Sequence, residues 1–182
     1  MSERVAAILT IGDELLEGRT VDTNAAFLAA ALSDLGWRVA AKRTVGDDDV
    51  EIAESVTALA RDADALLVTG GLGPTPDDLT REALARAAGV ALVVDAEAAA
   101  EIERRAQGRA KTANARQARV PEGARVLPNP IGTAPGFAVR VSDCDVYVLP
   151  GVPVELRRMF EDHVAPLLRD GATVAPTHFV KV

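Results

Sequence analysis

Ala65-Leu66-Leu67-Val68-Thr69-Gly70-Gly71-Leu72-Gly73-Pro74-Thr75-Pro76-Asp77-Asp78-Leu79-Thr80 is the stretch that decides the fold. Ala65 to Thr69 reads as a strand covered on both faces. The Gly-Gly-Leu-Gly-Pro segment stops it, and Asp77 or Asp78 opens a helix running to about Ala88. The same order occurs twice upstream. Val5 to Ile11 is a continuous apolar run ended by Gly12. Asp22 then caps a helix whose Leu28, Ala31, Leu32 and Leu35 recur along one stripe, with Gly36 as its stop. Trp37 to Val45 is a second strand, and Ile52, Val56 and Leu59 mark a helix from about Val50 to Asp62. This alternation predicts an α/β fold with a parallel sheet and helices on both faces.

Downstream the pattern changes. Beyond Val90 to Val94 come a helical stretch from Glu97 to Gln107, a basic segment reaching Arg119 and a Pro-rich run from Pro121 to Pro135. Phe137 to Val141 and Val146 to Leu149 flank a polar turn at Ser142 and Asp143, which predicts a hairpin and a mixed sheet. A last helix starts with Pro153 in its first turn and buries Leu156, Met159, Phe160, His163 and Leu167 along one stripe. Residues 1–170 form one domain in this scheme, and residues 171–182 a further strand or a truncated linker.

The 182 residues suffice for one self-standing core. Only 3% are aromatic, so the core must rest on Ala, Val and Leu, and a nucleic-acid platform of stacked rings is not expected. A formal charge of −7 opposes the counterion-release binding that duplex DNA requires. Apolar runs are shorter than the ~20 residues of a spanning helix, so no membrane partner is expected. The single Cys144 cannot form an internal disulfide, which suits a reducing cytoplasm.

In open parallel sheets ligands collect beyond the carboxyl ends of the strands, so the loops there carry the candidate chemistry. Gly70, Gly71 and Gly73 can turn backbone N–H groups inward as an anion nest just before a helix, with Thr69 and Thr75 beside them. Phosphate is the natural guest. Asp77 and Asp78 stand next to that nest, and carboxylates beside bound phosphate call for a divalent cation between them, magnesium, cobalt or similar. Helix capping and a plain turn are the blander explanation, but twelve consecutive specialised residues exceed what capping needs. The loop has no Gly-Lys-Ser/Thr ending and lacks the third glycine of a dinucleotide fingerprint. After the first strand, Asp13 and Glu14 offer further acidic ligands. Asn129 to Gly136 offers a proline-fixed loop with a hydroxyl at Thr133, and Gly151 leads into the last helix with free N–H groups. The segment carrying Arg104, Arg105, Arg109, Lys111, Asn114, Arg116, Gln117 and Arg119 could lid a polyanionic ligand.

Taken together, the Gly70 to Thr80 loop, Gly12-Asp13-Glu14-Leu15-Leu16, Asn129 to Phe137, Leu149-Pro150-Gly151-Val152-Pro153 and the Asn114 to Pro121 stretch resemble the N-terminal domain of the competence/damage-inducible CinA family. The likeness spans about Val5 to Leu168. It implies the MoaB/Mog-like molybdopterin-binding fold, a three-layer αβα sandwich with a mostly parallel, mixed sheet, and self-association into a homo-oligomer. It further implies that the Gly70 to Thr80 loop binds phosphate, with Asp78 linked to metal and catalysis. The implied activity is ADP-ribose pyrophosphatase, dependent on a divalent cation and promoted by potassium. Family members commonly have Thr where Asp13 stands, whereas Glu14 matches. From motif and resemblance together, Asp78 and Asp77 are the expected catalytic residues and Asp78, Glu14 and Asp77 the expected metal ligands. Thr69, Gly70, Gly71, Gly73, Thr75, Asn114, Gln117, Thr133 and Gly151 are the expected substrate contacts. Non-catalytic binding of molybdopterin or another phosphorylated ligand is the alternative. A third possibility is a fragment of a two-domain protein whose nicotinamide-mononucleotide deamidase domain lies elsewhere.

Overall fold

The computed structural model describes residues 3–106 and 116–170. Strand β1 (Val5–Ile11) leads through a single helical turn, α1 (Asp13–Leu16), to α2 (Thr23–Asp34), whose N-terminal amide at Ala25 donates to the Asp22 side chain at 2.8 Å. Strand β2 (Arg38–Val45), helix α3 (Asp49–Ala60) and β3 (Ala65–Thr69) follow. Then come α4 (Thr80–Ala88), β4 (Leu92–Val94) and α5 (Ala96–Ala106). Beyond residue 115 lie β5 (Arg119–Pro121), β6 (Arg125–Leu127), β7 (Gly136–Val141) and β8 (Cys144–Leu149). The last helical column is α6 (Pro153–Met159), a π-helical turn (Phe160–Val164) and α7 (Ala165–Asp170).

The main sheet has the order β2-β1-β3-β8-β7-β6; β2, β1, β3 and β8 are parallel neighbours, and β7 runs antiparallel to both β8 and β6. Strand alternation sends Ala7, Leu9 and Ile11 into a core roofed by α3 and α4, and Ala6 and Ile8 into a second core under α2, α6 and α7. These are the three layers, and the expected αβα sandwich with its mixed sheet is the observed one.

Three local expectations are corrected. Asp77 and Asp78 do not open α4, which begins at Thr80, because the Asp78 carboxylate turns back into the preceding loop. Two short strands, β5 and β6, lie at the start of the Pro-rich run; β5 pairs with β4 in a separate two-stranded sheet. The buried stripe of the last helix also shifts. Leu156, Met159 and Phe160 are buried as expected, but Val164 and Leu168 replace His163 and Leu167. The π turn adds one residue to its round, which advances every later position by one. His163 instead reaches the Pro128 carbonyl at 3.0 Å. Among the described residues no helix is long and apolar enough to cross a membrane.

Candidate anion-binding cleft at the strand ends

The four parallel strands end at one edge of the sheet, each in a glycine-bearing loop: Gly12 after β1, Gly46 after β2, Gly70 after β3 and Gly151 after β8. Backbone bonds stitch these ends together, from Gly12 N–H to the Val45 carbonyl at 3.0 Å and from Gly70 N–H to the Leu149 carbonyl at 3.3 Å. Gly70 is held at φ 109°, where a Cβ would overlap the Ile11 carbonyl oxygen, so the close approach of the loop to β1 requires glycine. A cleft of about 350 Å³ opens over these ends, lined by Gly12, Glu14, Asp47, Gly70 to Gly73, Thr75, Asp77, Asp78 and Pro150 to Val152. A smaller lobe of about 110 Å³ adjoins it through Ile11, Glu14, Gly70 and Gly151.

Asp78 organises the glycine loop. One carboxylate oxygen accepts from Gly73 N–H at 2.7 Å, and the other accepts from Thr75 N–H at 2.8 Å and from the Thr75 hydroxyl at 2.6 Å. Thr80 closes the turn by donating its hydroxyl to the Gly70 carbonyl at 2.9 Å. The amides of Gly70 and Gly73 and both donors of Thr75 are therefore spent inside the protein. Among the cleft amides with no acceptor among the described residues are those of Gly71, Leu72, Gly151 and Val152, besides those of Glu14 and Asp77. Of the three glycines expected to form a nest, only Gly71 has a free amide among the described residues, and Leu72 joins it. Gly151 lines the cleft, and a Cβ added there would come into contact with the Gly70 Cα.

Thr69 is buried and donates its hydroxyl to the Pro150 carbonyl at 2.9 Å, so it ties β3 to the loop after β8 instead of pointing a free hydroxyl at a ligand. Asn24, which sequence reasoning missed, completes that tie by donating to the Gly151 carbonyl at 2.8 Å. Thr133 is not part of the cleft. It lines a separate cavity of about 560 Å³ between α5 and the 128–135 loop, where Asn129 accepts from Ile131 and Gly132 N–H and donates to Ala134 and Glu155. Gln117 is buried and lines neither lobe of the cleft. Asn114 lies outside the described residues, as do Arg109 and Lys111. Arg116 does reach the loop, donating to the Thr75 carbonyl at 3.2 Å while paired with Glu82 at 3.5 Å.

The acidic side of the cleft holds a residue that sequence reasoning passed over. Asp47 follows β2 and exchanges backbone-to-carboxylate bonds with Asp13 at 3.2 Å in each direction. Burial raises its carboxyl above the ordinary range, the Asp13 amide bond works against this, and the like charges of Asp13, Glu14 and Asp78 push it further up. The signal was available, since Asp47-Asp48-Asp49 directly follows a strand of the parallel sheet, where ligand-facing groups gather. Asp48 accounts for only part of it, capping α3 through Val50 and Glu51 N–H. Among the described residues no three Asp, Glu, His or Cys side chains are spaced to hold a metal ion. One or two carboxylates completed by phosphate oxygens and water is the way magnesium usually binds, and this donor set fits that mode. Asp78 is the poorest of the three expected ligands, because all its hydrogen-bonding partners come from its own loop.

Residues 7–170 match the family model described as a probable molybdopterin binding domain. The crystal structure of CinA from Thermoplasma acidophilum, described as a protein of unknown function, superposes with a TM-score of 0.83 at 34% identity, covering 92% of this chain and 98% of that one. The chain belongs to the CinA family. Among curated relatives, a CinA-like protein of Citrifermentans bemidjiense is 53% identical over 165 residues, which is 89% of this chain and 40% of that protein. A protein of Pyrobaculum aerophilum is 44% identical over 168 residues, 91% of this chain and 63% of its own length. The chain thus spans about 40% of the length of such CinA-like relatives. The molybdopterin biosynthesis enzyme MoaB of Thermus thermophilus shares the fold, with a TM-score of 0.61 at 23% identity over 92% of this chain and 97% of that one.

Proposed function

We propose that the cleft binds a pyrophosphoryl-bearing small molecule together with a divalent cation and hydrolyses it, ADP-ribose giving AMP and ribose 5-phosphate. The observation that carries this is the pairing, across one cleft, of unspent backbone amides with three carboxylates, Glu14, Asp47 and Asp77, that make no ion pair among the described residues. The amides of Gly71, Leu72, Gly151 and Val152 would hold phosphoryl oxygens, in part through the favourable end of the α6 dipole. One or two of the cleft carboxylates, drawn from Glu14, Asp47 and Asp77, would hold the cation, with phosphate oxygens and water completing its shell. When bound, it would neutralise phosphoryl charge and polarise the reacting centre. Asp78 serves by fixing the loop that presents the amides, which relocates the role expected for it from ligand to support. Potassium dependence, homo-oligomer formation and a cytoplasmic setting belong to the same proposal.

Binding without turnover is the second reading, and the family description as a molybdopterin binding domain favours it. Incubating the chain with ADP-ribose and magnesium or cobalt, then resolving nucleotides by chromatography, separates the two. AMP released in proportion to enzyme supports hydrolysis. Saturable pterin or ADP-ribose binding with no AMP leaves a binding domain and removes the catalytic proposal.

A further inference from the structure

Arg81 is a buried cation whose donors are only partly matched. It stands one residue into α4, is 3% exposed, and donates through Nη2 to the Leu72 carbonyl at 2.8 Å. Its Nε is the one buried side-chain nitrogen without a hydrogen-bond partner among the described residues. Taking a guanidinium out of water is unfavourable unless its donors and its charge are matched. Burial lowers its pKa to about 10, with Glu82 and Asp78 opposing that shift and Arg116 adding to it, so it stays protonated at neutral pH. An apolar residue would pack at this position without that penalty.

What the cation grips is informative. The Leu72 carbonyl and the Gly73 N–H belong to one planar trans peptide and point in opposite directions. Arg81 holds the oxygen end of that plane, and the Asp78 carboxylate holds the hydrogen end at 2.7 Å. Rotation of this peptide would break both charge-assisted bonds together, and the peptide directly follows the amides of Gly71 and Leu72. Arg116 restrains the far side of the loop at the Thr75 carbonyl.

We infer that Arg81 is a positioning residue for anion recognition: with Asp78 it locks the Leu72–Gly73 peptide plane and sets a fixed positive charge behind the turn, so that the Gly71 and Leu72 amides meet a phosphoryl oxygen. This rests on the diphosphate reading of the cleft. The test compares the full chain with Arg81→Met and Arg81→Lys. Calorimetry reads affinity for inorganic pyrophosphate with magnesium, thermal unfolding checks the fold, and hydrogen exchange follows the Gly73 amide. Folded Arg81→Met should bind about tenfold more weakly, the size of one charge-assisted bond, and exchange Gly73 faster. Arg81→Lys should recover part of the affinity, since an ammonium restores the charge but not the planar fork. Unchanged affinity in folded Arg81→Met overturns the inference. Should that variant not fold, Arg81→Lys carries the test, with a severalfold loss expected and wild-type affinity overturning it. If the wild type itself binds no pyrophosphate, the diphosphate reading fails; Gly73 exchange then decides the loop-locking step by itself, and unchanged exchange in the variants overturns that too.

Discussion

Replacing Asp78 by Asn separates the loop-organising role from a metal-ligand role. The carboxylate accepts from Gly73 N–H on one oxygen and from Thr75 N–H and hydroxyl on the other. An Asn side chain has one oxygen. If it faces Thr75, its NH₂ confronts the Gly73 N–H; if it faces Gly73, it confronts the Thr75 N–H, although the hydroxyl can turn to accept. Either way one charge-assisted backbone bond is lost and two donors are set against each other. Hydrogen bonds to charged groups contribute about 1.5–3 kcal/mol, and Asp78 is half-buried, so water relieves part of the loss and about 2 kcal/mol is expected. For a chain of this size that lowers Tm by roughly 4–8 °C. Urea unfolding gives the energy, and hydrogen exchange at Gly73, against a β3 amide as control, locates it. Asp77, one residue earlier and exposed, provides the contrast: Asp77→Asn should stay within about 0.5 kcal/mol of wild type. A change below about 0.5 kcal/mol for Asp78→Asn, with Gly73 protection intact, would refute the role assigned to this carboxylate.

Gly70→Ala should destabilise by about 3 kcal/mol or more, because its Cβ meets the Ile11 carbonyl and its φ of 109° is strained for any L side chain; a stability equal to wild type in thermal unfolding would show that the loop can move off β1. Asp47 binds its proton more tightly in the folded protein than in the unfolded chain, so its contribution is fully present below the unfolded pKa of about 3.9 and is lost as pH rises through the raised folded value. Without divalent ions, Asp47→Asn should therefore be more stable than wild type at neutral pH, and the gain should shrink on acidification. A gain that grows towards acid pH would contradict the burial effect. Asn129→Ala removes four hydrogen bonds from a side chain only 5% exposed and should cost about 3 kcal/mol while leaving pyrophosphate affinity unchanged, since the loop lies in the other cavity; weakened pyrophosphate binding in the folded variant would join the two cavities functionally.

Element order was legible because long apolar stripes and buried runs carry their own period. What escaped it were features with no period to read. Three-residue strands such as β5 and β6 are too short to show alternation, and the prolines around them point to loop. The π turn was invisible because Leu156, Met159 and Phe160 are compatible with either continuation, through His163 and Leu167 or through Val164 and Leu168. The glycine loop was found from its composition, but the use of its amides was not. An aspartate that caps a helix and one that folds back onto Gly73 and Thr75 occupy the same place in a sequence. Thr133 was grouped with the cleft because its loop also carries Gly and Pro. The strand order places that loop beyond β7, at the far edge of the sheet from β1, and no local motif carries that information.

In the proposed mechanism, amides and carboxylates of this cleft share one cation-bridged ligand. Titrating ADP-ribose into the wild-type chain by calorimetry, first with chelator and then with magnesium, measures that directly. Saturable binding that tightens markedly when magnesium is present is the expected result. Affinity that is absent under both conditions, or that is the same with and without the ion, would contradict it.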